Sequence, residues 1–198
     1  MNYTTLAKVR AALGAETVTD DLLLAVKITE ASRATDRLCA APDNYFMIES
    51  VVGELSSGLI TSDGVIICFP KKAVVNSVSS FEYRLSPKEN WQVVDSDAIL
   101  LSNQRQVSAW GEIVAHGKCQ IRISYNGGYG TESGSPSIIT GLPEDIINAV
   151  TVLAVRFYKE EKGGLTDAIG VAELGTMQYT KAMPTRVVEM MKPYKRIV

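Results

Sequence analysis

At Tyr45 the spacing of apolar residues changes from helical to alternating, and near Leu142 it changes back. A period of 3.6 and a period of 2 cannot serve the same element, because one winds the side chains around an axis and the other flips them across a plane. A helical part split in sequence by a β part is therefore the frame into which everything else must fit.

The opening stretch "TTLAKVRAALG" puts Leu6, Val9 and Leu13 on one helical face, with Thr4 or Thr5 as cap and Gly14 as stop. In "TDDLLLAVKITEASRATDRLCAAP", Thr19 can cap, and Asp20 and Asp21 complement the helix dipole in the first turn. Leu24, Ile28, Ala31, Thr35 and Leu38 form its inner stripe, and Pro42 marks its end.

Alternation then takes over. In "SVSSFEYRL", Phe81 and Tyr83 face one way and Ser80, Glu82 and Arg84 the other. "QIRISY" sets Ile121, Ile123 and Tyr125 opposite Arg122 and Ser124. Asp63-Gly64 predicts a type I′ hairpin turn, and "NWQVVDSDAILL" and the surroundings of Trp110 supply shorter strands. The predicted fold class is α+β: a small bundle of N- and C-terminal helices with an inserted antiparallel sheet or sandwich. The predicted division is 1–44 with 138–198 for the helical core, and 45–137 for the β insertion.

The second helical stretch, "LPEDIINAVTVLAVRFYKEEKGG", starts with Pro143 at the first helical position, Glu144 and Asp145 at the positive end of the dipole, and stops at Gly163-Gly164. Ile146, Ile147, Val150, Val152, Leu153, Val155, Phe157 and Tyr158 cover most of its circumference. A surface helix needs one apolar stripe, so this pattern predicts burial on two sides, the second belonging to another subunit. Val150, Leu153 and Phe157 are the candidate interface residues. A short helix follows Pro184, and the chain ends in a basic, aromatic tail from Pro193.

Composition narrows the function. With 198 residues, 46% apolar and 21% charged, the chain can bury a proper core. Its net charge of −2 argues against a dedicated nucleic-acid binder. Cys39, Cys68 and Cys119 form no CxxC pair and no even disulfide framework, which points to reduced, cytoplasmic folding. The N-terminus lacks the apolar core of a signal peptide, and no apolar run is long enough to span a bilayer.

The stretch "SYNGGYG", Ser124 to Gly130, invites a phosphate-cradle reading. A P-loop also needs a Lys and a Ser or Thr at a helix start, and "GGYGTESGSPS" has neither Lys nor Arg. A dinucleotide fingerprint needs a βαβ context that an alternating strand does not provide. The stretch reads as a corner. His116, the only histidine, has Cys119 three residues on but no other partner for a metal or for a nucleophile pair, so a structural or solvent-facing role is assigned. Glu112 and Asp95 are isolated carboxylates, Met183, Met190 and Met191 read as adaptable packing residues, and Lys71-Lys72 as a solvated edge. No catalytic residue, cofactor or metal is predicted, and the chain is not read as an enzyme.

The order "IRISYNGGYG", a polar linker, "LPEDIINAVTVLAVRFYKE" and a short terminal helix with a basic end resembles the head–tail connector (adaptor) proteins of long-tailed bacteriophages. Ile123, Tyr125, Gly128, Tyr129, Leu142, Pro143, Ala149 and Val150 carry that resemblance, and "TDDLLLAVKITEASRATDRLC" is similar to the family's opening helix. The match covers both ends and the strand entering the last helices, and is weaker from Tyr45 to Trp110. The resemblance implies a ring, typically of twelve subunits, docked under the portal in the virion neck. Viral DNA passes through its channel without sequence-specific binding, and a tail-side completion protein sits on the opposite face. It also implies a C-terminal segment that orders on the portal, here Tyr194, Lys195, Arg196 and Ile197. The alternatives are a stopper-like or tail-terminator-like neck protein and a monomeric ligand-binding β module.

Overall fold

A computed structural model describes residues 1–14, 20–72, 74–102, 105–111, 116–134, 138–163, 168–171, 175–178 and 183–196. The chain is α+β; the described residues form four α-helices and a seven-stranded antiparallel sheet. It separates into a helical unit, Met1–Asn44 with Glu132–Lys195, and a sheet unit, Tyr45–Thr131 with Arg196.

In the helical unit, α1 (Leu6–Leu13) opens on Thr5, whose hydroxyl accepts from the Lys8 amide, and closes on Gly14 at φ 65°. That left-handed cap suits a residue without a Cβ. α2 (Asp21–Leu38) buries Leu24, Ile28, Ala31 and Thr35 of the stripe its spacing predicts, while Leu38 at its end is half-buried. Thr19 lies outside the described residues. Asp20 occupies the N-cap position, yet its carboxylate makes no cap bond and instead accepts from Tyr158 and Lys162 at the far end of α3 (Glu144–Gly163).

α3 packs against α1, α2 and also α4 (Thr185–Met191). Three helical neighbours explain why it is apolar nearly all round. Val150 and Leu153 are both 0% exposed, because the protomer's own helices cover them. The sequence assigned that second apolar side to another subunit; burial removes Val150 and Leu153 from any surface that a neighbour reaches in this fold. Phe157 stays part-exposed. Gly164, the second of the two predicted stop glycines, lies outside the described residues.

A short pair, β8 (Thr131–Ser133) and β9 (Ile138–Thr140), leads back to the helices. Ile139 donates to the Asn2 carbonyl at 3.0 Å, and Asn2 bridges Ile138. This tie to the N-terminus explains why the sheet unit ends at Thr131 rather than at 137. A two-stranded hairpin, β10 (Ala168–Val171) and β11 (Gly175–Gln178), precedes α4.

In the sheet unit the strands are β1 (Glu49–Ile60), β2 (Val65–Cys68), β3 (Val75–Arg84), β4 (Gln92–Val93), β5 (Ile99–Ser102), β6 (Gln106–Trp110) and β7 (Gly117–Gly127). Their order is β4-β3-β7-β1-β2-β6-β5, so β4 and β5 are free edges and the barrel does not close. The sheet curls far enough for β3 to touch β5 and β6, which are not its neighbours. Its concave face buries Phe81, Tyr83, Ile121, Ile123, Tyr125 and Ile66, each large side chain contributing roughly 1.5–3 kcal/mol. The Asp63-Gly64 turn is real but of another type. Gly64 donates to the Thr61 carbonyl at 3.1 Å and alone adopts positive φ (75°). That is a three-residue loop closed by a left-handed glycine, not type I′, which needs two residues at φ > 0.

Candidate functional site

The glycine stretch is a corner held from both sides. Gly128 sits at φ 126°, and a Cβ placed there falls 2.2 Å from the Met47 carbonyl oxygen. A Cβ on Gly127 falls 2.5 Å from the Val74 carbonyl oxygen. Both glycines are required by close backbone approach. The amides that a phosphate cradle presents are already engaged: Gly128 N–H donates to Val74 O at 2.9 Å, and Tyr129 and Gly130 N–H donate to Phe46 O at 2.8 and 3.3 Å. A cradle needs free N–H groups pointing at the ligand. This loop spends those three on its own backbone.

The crossover from β2 to β3 is pinned by a buried polar set. Glu54 accepts from the Tyr125 hydroxyl at 2.8 Å and from the Lys71 amide at 3.0 Å. Lys72 is buried, contrary to the solvated edge read from the sequence: its Nζ lies 2.7 Å from Glu49 and 3.4 Å from the Met47 carbonyl. A lysine stem can lie along apolar surface when its ammonium finds a carboxylate at the rim. Burial, then the hydrogen bond to Glu54, pushes the Tyr125 phenol up. Burial, with Glu54 and Cys119 nearby, pushes the Cys68 thiol up to about 12. These groups are held in their neutral forms, as structural thiols and phenols are.

The helical unit has its own buried set. Asp36, fully buried, accepts from Tyr3 Oη at 2.6 Å and the Asn44 amide at 3.0 Å, and pairs with Arg33 at 3.0 Å. Arg33 also donates to the Met1 carbonyl and to Asn44 Oδ1. The set ties both flanks of α1–α2 to one guanidinium.

The other sequence candidates stay apart. His116 is exposed while Cys119 is buried in the sheet core, so the two do not form a pair. Glu112 lies outside the described residues, and Asp95 is exposed. Met191 is buried, and Met183 and Met190 are half-buried. Among the described residues no group of three or more His, Cys, Asp or Glu is placed to hold a metal ion, and no helix is long and apolar enough to cross a membrane. After α4, Lys192–Tyr194 form a single 3-10 turn around Pro193, and Lys195 is extended. Ile197 lies outside the described residues. Phe157 lines an open groove of about 410 Å³ with Lys27, Glu30, Arg37, Glu160 and Glu161.

The outward apolar surface lies where the sequence reading did not place it. On α2, Leu22 is 88% exposed and Val26 about half, one turn apart and opposite the buried stripe. On the sheet, register aligns Leu59, Ile67, Ser108 and Leu100 across β1, β2, β6 and β5, with Val65 beside Trp110 in the adjacent row. Leu55 (63%), Leu59, Leu100 and Trp110 (47%) are exposed on that convex face. The other half of the face is charged: Arg122 holds Glu82, Lys118 opposes Leu59, and Arg84 and Arg122 both stack on Trp91, 4.4 and 4.9 Å from its ring centre. The "LLLAV" run and the leucines of "ELSSGLI" were the available signals. The inner stripe expected for α2 leaves out Leu22 and Val26, and the spacing in "ELSSGLI" assigns Leu55 and Leu59 no face.

Compared with known proteins, the sequence matches no family model and no curated protein.

Proposed function

We propose that this chain is a structural subunit of a long-tailed phage neck, a head–tail connector (adaptor) that forms a ring under the portal and lines part of the DNA channel. The observation that carries the reading is the outward apolar surface on both units, Leu22 and Val26 on α2 and Leu55, Leu59, Leu100 and Trp110 on the sheet. Exposed apolar area of this kind is what neighbouring subunits cover. The order of elements supports it: helices, a sheet whose β7 ends in the glycine corner, then Leu142-Pro143 and the long α3. A net charge of −2 suits a channel in which DNA slides, since a strongly basic lumen holds phosphates.

In this reading the ring, typically twelve copies, meets the portal on one face and a tail-side completion protein on the other. It works by shape and contact, without catalysis, cofactor or metal. Phe157 stays a candidate for the contact between copies. Tyr194, Lys195, Arg196 and Ile197 form the portal-facing segment, with Tyr194 and Ile197 as apolar anchors and the cations against portal carboxylates. The test is loss of the protein during infection. Phage lacking it should accumulate DNA-filled heads and separate tails, and immunogold labelling of intact particles should mark the neck. A chain with Pro193–Val198 deleted should fold and fail to restore joining. Normal particles without the protein overturn the connector reading, and normal joining with the truncated chain overturns the portal segment alone.

A further inference from the structure

Two apolar surfaces on the described residues have no cover, and they differ in shape. The α2 surface is a narrow ridge, Leu22 and Val26. The sheet surface is broad and convex, with Leu55, Leu59, Leu100 and Trp110 on the same face as the part-buried Ile67. The ridge is apolar only in the N-terminal half of α2: one turn beyond Val26 the same side carries the exposed Thr29 and Glu30, and two turns on Arg33, which donates to Met1 and Asn44.

We infer that the Leu22–Val26 ridge of one copy docks on the convex sheet face of the next copy. Helix on sheet is one of the few layer arrangements that buries both kinds of surface. The charges at the borders match. Glu30, one turn beyond Val26, is half exposed and shares the Lys27 ammonium with Glu161, two carboxylates to one cation, so that border is net negative. Among the described residues the sheet face carries Lys118, Arg84 and Arg122, with the Glu82 carboxylate already held by Arg122. Lys118 lies directly beside Leu59 in the register, so seating Val26 near Leu59 brings Glu30 within reach of Lys118.

The contact uses a different surface on each partner, so it propagates around a ring rather than ending at a pair. A two-residue ridge with its flanks falls well short of the roughly 800 Å² per partner found in stable pairs. The isolated chain is therefore monomeric when dilute, and the contact forms where copies are crowded or held side by side. This inference rests on the ring reading above for its biological setting, but it can be tested without a phage.

Two full-length variants of different tag length, Val26→Cys and Leu59→Cys, are mixed at high concentration and oxidised. The native cysteines are buried and stay silent. The expected product is a disulfide-linked dimer of unlike chains, many-fold above the yield of either variant alone. Lys118→Glu in the Leu59→Cys chain should cut the yield several-fold, and Glu30→Lys in the Val26→Cys chain should restore it. Circular dichroism of each variant checks that the fold is kept. Like-chain products as abundant as unlike ones, or no rescue by the charge swap, overturn the inference. Unlike-chain cross-linking with no protein in particle necks keeps the contact and sinks the connector reading. Necks that contain the protein, with no such cross-link, do the reverse.

Discussion

Among the described residues each unit buries one carboxylate, and the two are held in different ways. Asp36 in the helical unit is fully buried and has a cation, Arg33, at 3.0 Å in addition to Tyr3 and the Asn44 amide. Glu54 in the sheet unit is nearly as buried but receives only a phenol and an amide. The first is a charge neutralised by a charge, and the second a charge tolerated through hydrogen bonds. Removing the carboxylate should therefore hurt more in the helical unit, because there it takes the nearest countercharge from a part-buried guanidinium as well as an acceptor from Tyr3 and from the Asn44 amide.

The largest expected effect is at Asp36. Asp36→Ala should cost about 3–5 kcal/mol, the range for breaking an ion pair with a buried member, because the Arg33 pairing and the Tyr3 and Asn44 hydrogen bonds to Asp36 go together. Chemical denaturation followed by far-ultraviolet circular dichroism measures it. A loss under 1 kcal/mol would mean that water reaches Arg33 and the pairing is incidental.

Next comes Gly128→Val, which reaches the Met47 carbonyl, the atom that Lys72 Nζ approaches from the other side of the Glu54 set. A branched side chain at φ 126° adds about 1–3 kcal/mol of backbone strain, and the 2.2 Å approach to Met47 O adds a clash that only a backbone shift relieves. The same denaturation experiment applies, and no nucleotide affinity should appear or vanish with the change. ATP binding by the wild type that Gly128→Val abolishes contradicts the corner reading.

A smaller effect is expected at Glu54. Glu54→Gln keeps the shape but turns one oxygen into an NH₂ donor, which then faces either the Lys71 N–H or the Tyr125 hydroxyl. One donor is left without an acceptor, at a cost of about 1–3 kcal/mol. If Glu54→Gln proves as damaging as Asp36→Ala, the distinction between the two carboxylates fails.

Much of this architecture was legible because it rests on local rules. Thr5 and Gly14 bound α1 by cap chemistry, and Phe81, Tyr83, Ile121, Ile123 and Tyr125 alternate because one face of the sheet is buried. The glycine corner was legible from what it lacks, a basic residue and a helix start. Three features were not. The Asp63-Gly64 turn fits two loop lengths equally well in sequence, and only the Thr61 partnership separates them. The apolar girth of α3 reads the same whether a neighbour subunit or three helices of its own chain cover it, so Val150 and Leu153 were assigned outward. Lys72 and Glu54 were illegible as a set because each partner is distant in sequence: Glu49 of β1 for Lys72 and Tyr125 of β7 for Glu54. Leu22 and Val26 show the opposite limit: an apolar run on a helix hides an exposed ridge among buried positions.

The smallest expected effect sharpens the comparison with a third carboxylate, one at the surface. Asp20 accepts from Lys162 at 2.8 Å and from Tyr158 at 2.5 Å. Those hydrogen bonds, Lys162 first, hold its carboxyl below the ordinary value, and in turn keep the Lys162 ammonium and the Tyr158 phenol protonated to higher pH. The signs follow from linkage. A carboxyl with a depressed folded pKa adds stability that is complete above its unfolded value, about 3.9, and fades as pH falls through the folded one. A lysine or tyrosine with a raised folded pKa adds stability that is complete below its unfolded value, about 10, and fades as pH rises through the folded one. The contribution of this trio should therefore be flat through neutrality and fall away at both ends. Asp20→Asn should lower the unfolding midpoint slightly at neutral pH and match wild type more closely in acid, with added salt shrinking the gap because the groups are exposed. Unfolding midpoints of the two proteins, measured across the acid range at low and high salt, decide it. A gap that widens in acid would mean that the Asp20 charge does not carry the effect of the substitution.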